Sequence, residues 1–105
     1  MPERIAFRMI LDPGQAEEYR KRHEAIWPEM TAALREAGIC DYTIWLDPET
    51  NHLFATLLRS DDHTMDALPQ TEVNRRWWDY MADIMQHDAD NAPLVVPLQN
   101  VFRMD

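Results

Sequence analysis

Ile5, Phe7, Met9 and Leu11 alternate with Arg4, Ala6, Arg8 and Ile10, a period of two that predicts a strand with one apolar face. The period then lengthens. Ala16, Tyr19, His23, Ile26, Trp27, Met30, Ala33, Leu34 and Ala37 trace a helical stripe, and charged residues such as Glu17, Arg20, Glu24 and Arg35 fill the opposite side. Asp12 is expected to cap this helix, with Pro13 in its first position and Gln15 completing a capping box. Gly38 is the expected terminator. Pro28 lacks the amide that would bond the Glu24 carbonyl, so a kink or a restarted helix is expected there.

Asp41–Leu46 alternates again, with Tyr42, Ile44 and Leu46 on one face and Thr43 and Trp45 on the other. The turn-forming stretch Asp47-Pro48-Glu49-Thr50-Asn51 leads into a second strand-like run at His52–Arg59, which makes a hairpin. A short helix is expected from Asp61 or Asp62, interrupted by Pro69. Thr71 is expected to cap a longer one with Val73, Trp77, Tyr80, Met81, Ile84 and Met85 as its apolar positions. His87–Pro97 reads as loop and Leu98–Met104 as a final strand. Strand, helix, strand, strand, helix, strand is the α+β, ferredoxin-like βαββαβ order, an antiparallel sheet with helices on one face. The other face then needs cover, and pairing of two such sheets in a homodimer, a dimeric α/β barrel-like assembly, would provide it.

Composition narrows the possibilities. The chain has 105 residues, enough for one core, so residues 1–105 are read as a single domain. With 10 Lys and Arg against 19 Asp and Glu, the net charge is −9. An acidic surface repels nucleic acid phosphates and anionic membranes, so neither is expected as a partner, while a neutral small molecule is compatible. The apolar run around Leu53–Leu58 is too short to span a bilayer, no secretory leader is expected, and Cys40 has no second cysteine to pair with; the cytoplasm is the expected location.

Two strings carry the chemistry: Tyr19-x-x-x-His23-x-x-x-Trp27-Pro28 and Arg76-Trp77-Trp78-x-Tyr80-Met81. Residues four apart on a helix share a face, so Tyr19, His23 and Trp27 are expected to form a column. An imidazole titrates near neutrality, and flat aromatic surfaces beside it suit a sugar ring undergoing acid–base chemistry. His23 is either a core histidine bonded to a backbone carbonyl or the proton-transferring group. Tyr19 is either a core tyrosine or a hydroxyl that bonds a sugar hydroxyl or orients His23, and Tyr42 has the same ambiguity on a strand. Trp77 and Trp78 point about 100° apart on a helix, so one can pack in the core while the other lines a pocket. His52, His63 and His87 show no ligand spacing, and two glycines in all leave no phosphate-cradling loop.

These residues resemble the L-rhamnose mutarotase family. The resemblance covers the opening strand, Tyr19-x-x-x-His23, Ile26-Trp27-Pro28-Glu29, Tyr42, Arg76-Trp77-Trp78-x-Tyr80-Met81, the Asp90-Asn91-x-Pro93 loop and the closing Val101-Phe102. It implies a ferredoxin-like fold, dimers, no metal and no cofactor, and interconversion of the α and β anomers of L-rhamnose. It further implies His23 as proton donor and Tyr19, Tyr42, Trp77 and Trp78 as sugar contacts, leaving the base open among Tyr19, a water and His23 itself. Cofactor-independent monooxygenases and non-catalytic sugar-binding modules are the competing expectations for such a fold.

Overall fold

The computed structural model describes residues 1–105. The opening alternating segment is β1 (Glu3–Ile10), and the long helical stripe divides into α1 (Ala16–Glu24) and α2 (Pro28–Glu36). Pro28 is responsible for the division. It occupies the first turn of α2, where a missing N–H costs nothing, and Trp27 before it takes φ −62° and ψ 133°, the extended conformation a following proline enforces. The expected column therefore stops at His23, and Trp27 belongs to the junction. Gly38 ends α2 as expected, with φ +88°.

Asp12 does not start α1. Gly14 adopts φ +79°, outside the helical range, and the Gln15 amide closes a turn onto the Asp12 carbonyl at 3.3 Å. Gln15 is the residue before the helix.

The hairpin forms as expected from β2 (Ile39–Asp47) and β3 (His52–Arg59), and α3 spans Glu72–Met81. A 3₁₀ segment, Met65–Gln70, precedes α3 and contains Pro69, and a 3₁₀ turn, Ala82–Ile84, follows it. The last strand is shorter and earlier than expected: β4 is Val96–Pro97, and residues 98–105 carry no strand. After the Leu98 amide bonds the Ala6 carbonyl at 3.0 Å, the chain leaves the β1 edge. Val101 and Phe102, expected in that strand, are 90% and 76% exposed because nothing within the chain covers them.

The sheet is antiparallel with order β2-β3-β1-β4, the ferredoxin-like arrangement. Met9, Leu11, Leu53 and Ala55 on its inner face pack with Tyr19, Met30, Trp77, Met81, Ile84 and Met85. A smaller cluster joins Ala37, Ile39, Leu57 and Leu68. Each fully buried leucine such as Leu53 or Leu57 contributes about 1.5–3 kcal/mol.

One irregularity in the sheet decides where a tyrosine goes. Cys40 pairs with Leu58 but Thr43 pairs with Thr56, so Asp41 and Tyr42 together stand opposite the single residue Leu57. Asp41 takes φ 47° to make this bulge. Before it, odd-numbered Ile39 faces inward; after it, even-numbered Tyr42, Ile44 and Leu46 do. A regular ladder would turn Tyr42 to the outer face.

Candidate active site

Between the inner face of the sheet and the three helices lies an open cavity of about 780 Å³. Tyr19 and His23 reach it from α1, Tyr42 from the bulge in β2, and Trp77 and Trp78 from α3. All five residues singled out in the sequence line this one space.

Tyr19 and His23, one turn apart on α1, stack with ring centroids at 4.3 Å and planes 28° apart. The edge of Trp77 meets His23 at 5.4 Å and 89°. Trp27 meets Trp77 edge-on at 5.1 Å and stacks on Tyr80 at 5.7 Å. Trp27 therefore buttresses the wall from behind. Of the paired tryptophans, Trp77 is 7% exposed and sits in the main core, whereas Trp78 is half-buried at the core's margin. The expected split into a packing and a lining indole is thus incomplete, since Trp77 does both. Tyr42 stands edge-on to Phe7 at 6.3 Å.

The tautomer of His23 follows from its hydrogen bond. Nδ1 lies 3.0 Å from the Tyr19 carbonyl oxygen. A carbonyl only accepts, so Nδ1 carries the proton and Nε2 of the neutral ring holds a free lone pair. Burial lowers the His23 pKa below the ordinary histidine value, with the Tyr19 carbonyl opposing the shift by favouring the protonated ring. At neutral pH, then, Nε2 is a proton acceptor. The phenols are shifted the other way. Burial raises Tyr19, with a smaller contribution from the neighbouring Tyr42. Tyr42 keeps 38% of its surface exposed, yet protein displaces enough water from its phenol to push it up to about 12. Both are neutral donors near pH 7, which removes Tyr19 phenolate as the base.

The surrounding contacts hold these groups. Arg22, beside His23, donates to Glu18 at 2.7 Å, to Asp83 at 2.8 Å and to the Tyr80 carbonyl at 2.7 Å, fastening α1 to the end of α3. Its guanidinium lies 4.5 Å over the Tyr80 ring. The Asn91 side chain donates to Asp79 at 3.0 Å, tying the loop that brings Pro93 to the cavity back onto α3. Sequence reading missed Met9, Met30 and Asn74 as lining residues. The methionines carry no distinguishing signal. Asn74 does, standing one turn before Trp77 and Trp78 among apolar helix positions where asparagine is unusual. No three His, Cys, Asp or Glu side chains gather in a metal-holding group, and no helix is long and apolar enough to cross a membrane.

An acid–base imidazole of fixed tautomer among neutral phenols and indoles can move a proton at a polar, uncharged ligand. Known proteins share this sequence and fold. A family model described as L-rhamnose mutarotase matches residues 4–104. L-rhamnose mutarotase of Paraburkholderia xenovorans is 57% identical over 103 residues, covering 98% of this chain and 96% of that protein. That of Sinorhizobium fredii is 58% identical over 102 residues, covering 97% and 98%. The crystal structure of L-rhamnose mutarotase from Formosa agariphila superposes with a TM-score of 0.91 at 45% identity, covering 98% of this chain and 99% of that one. A protein from Bacteroides thetaiotaomicron described as an antibiotic biosynthesis monooxygenase superposes at 0.60 with 16% identity and shares the fold alone. By its sequence along nearly its whole length, the chain belongs to the L-rhamnose mutarotase family.

Proposed function

We propose that this protein is an isomerase that interconverts the α and β anomers of L-rhamnopyranose, with His23 moving the protons. The observation that carries the mechanism is the Nδ1 hydrogen bond to the Tyr19 carbonyl at 3.0 Å, which leaves Nε2 free to work at the sugar. Anomer exchange opens the hemiacetal: the anomeric hydroxyl loses a proton, the bond from C1 to the ring oxygen breaks, and the ring oxygen gains a proton. The aldehyde then turns about C1–C2 and recloses on its other face. Nε2 takes the anomeric proton, and the resulting imidazolium is the donor to the ring oxygen, which is within reach of the same nitrogen because both oxygens are bonded to C1. One residue thus serves as base and then as acid, and closure reverses the steps. Tyr19 and Tyr42, both neutral, hydrogen-bond the sugar, and Trp77 and Trp78 offer apolar faces to its C–H surface. General acid–base assistance of this kind is typically worth ~10²–10⁴-fold.

Magnetisation-exchange NMR on the anomeric protons of L-rhamnose tests this. Exchange should rise in proportion to protein concentration and return to the buffer rate in His23→Ala. Wild-type exchange at the buffer rate would overturn the activity, and full exchange in His23→Ala would overturn the mechanism. Family and fold together favour this reading over an oxygenase, which would consume oxygen with an aromatic substrate.

The chain is read as one cytoplasmic domain that works as a homodimer. The outer sheet face supports the dimer: Trp45 there is 66% exposed, Phe54 beside it is half-buried, and Arg8 Nε is closed off without a hydrogen-bond partner. A monomeric mass by sedimentation at micromolar concentration would refute it.

A further inference from the structure

Asn74 is 6% exposed and is the one buried polar residue of the chain. It lines the same cavity as His23, Tyr42 and the paired tryptophans. Its Nδ2 is sealed from solvent and has no hydrogen-bond partner. A buried amide donor left unpaired destabilises a fold. An apolar residue of the same size, such as leucine, would avoid that cost. Polar groups kept at such a cost are common where a ligand supplies the missing partner.

Its position favours that role. Asn74 lies three and four residues before Trp77 and Trp78, so its side chain stands on the helical face the indoles occupy. The terminal amide torsion is broad, so a small rotation brings either end of the group toward the cavity without moving α3. The lining is mostly apolar, with Glu17, Arg20, Glu24 and Thr31 contributing polar side chains from α1 and α2, and a carboxamide adds both a donor and an acceptor from α3.

We propose that Asn74 is a specificity-determining residue of this site, its carboxamide hydrogen-bonding one hydroxyl of the bound sugar. The assignment rests on the cavity being the sugar site and adds to it a contact that selects among sugars. A pocket group that pairs with a hydroxyl disfavours the analogue lacking it, because its own partner is then lost.

The test compares wild type with Asn74→Leu and Asn74→Ala on L-rhamnose and on its 2-, 3- and 4-deoxy analogues, by anomer exchange, with thermal unfolding alongside. On L-rhamnose, Asn74→Leu should raise KM roughly tenfold with a smaller change in kcat. Wild type should disfavour one deoxy analogue by about the same factor, and Asn74→Leu should lose that preference alone. The Tm of Asn74→Leu should stay level or rise, because removing an unpaired donor relieves a cost. Unchanged KM in both variants, with wild type active, would overturn the Asn74 assignment only. So would a fall in Tm with equal losses on every sugar, the signature of a scaffold residue. Should Asn74→Leu fail to fold, an unchanged KM and deoxy preference in Asn74→Ala would equally overturn the assignment. No wild-type exchange on any of these sugars would instead overturn the function on which the assignment rests.

Discussion

Arg22 and Asp83, 61 positions apart in sequence, meet at 2.8 Å and lock α1 against the turn that follows α3. Each holds the other charged: hydrogen bonding to Asp83 raises the Arg22 pKa, and the same bond lowers that of Asp83. The Arg22 side chain is 10% exposed but Asp83 is 67% exposed, so water screens much of the pair's attraction. More important is the Tyr80 carbonyl, which the same guanidinium satisfies at 2.7 Å. Arg22→Met should destabilise by about 1–2 kcal/mol and lower Tm by several degrees, roughly 4–8 °C per kcal/mol for a domain of this size. Because the folded-state pKa of Asp83 is depressed, its contribution is present above the ordinary carboxylate pKa and is lost as pH falls. The difference in Tm between wild type and Arg22→Met should therefore shrink toward acid.

The lowered pKa of His23 has a definite sign in activity. If neutral Nε2 starts the reaction, kcat/KM should be flat near pH 7 and fall on the acid side, with its midpoint below the ordinary histidine value of about 6.5. A profile that rose toward acid would show that the imidazolium begins the reaction. Stability follows the same direction: the folded state resists protonating His23, so part of the stability present above the unfolded pKa disappears as pH falls through it.

Substitution should separate the two indoles by what they lose. Trp77 is 7% exposed and is packed between His23 and Trp27, so Trp77→Ala should cost about 3–5 kcal/mol of stability. Trp78→Ala should cost clearly less in thermal unfolding and act on KM for L-rhamnose. Equal losses of Tm in the two variants would contradict the different burial of the two rings.

Much of this site was legible in the chain before its fold was known, for a physical reason. Tyr19 and His23 lie within one short helix, and Trp77 and Trp78 are adjacent on another, so helical periodicity alone orients each pair. Pro28 announced the break between α1 and α2, although the column it interrupts was expected to continue to Trp27. Tyr42 was different. Its facing depends on Asp41 and Tyr42 sharing one partner across the ladder, and an alternating pattern does not reveal where an extra residue is inserted. The true start of α1 was hidden because Asp12-Pro13-Gly14-Gln15 suits a tight turn as well as a helix cap. The final strand was misplaced because the apolar residues of Leu98–Met104 mark a surface to be covered, without saying by what. Asn74 went unnoticed although an asparagine one turn before Trp77 and Trp78 is itself a signal, because only its burial sets it apart from a solvent-facing helix asparagine.

Gly38 tolerates no side chain. Its φ is +88°, and an added Cβ would clash with Ser60 Oγ and lie 3.2 Å from the His63 backbone. The Ser60 hydroxyl can rotate away, but the His63 backbone and the left-handed conformation remain. Gly38→Ala should destabilise by about 1–3 kcal/mol, and adding Ser60→Ala should recover only part of it in chemical denaturation. Full recovery would mean that the contact, and not the backbone conformation, carries the cost.

The break at Pro28 leaves α1 with nine residues and no side-chain cap at its start. Helices shorter than ~12–15 residues hold little structure in water by themselves. The segment bearing Tyr19 and His23 is therefore helical because it is docked, and the Nδ1 bond that fixes the imidazole tautomer lasts only as long as that turn does. Undocking α1 would melt the turn and release the tautomer together, so under the proposed mechanism a local opening well short of global unfolding switches His23 off.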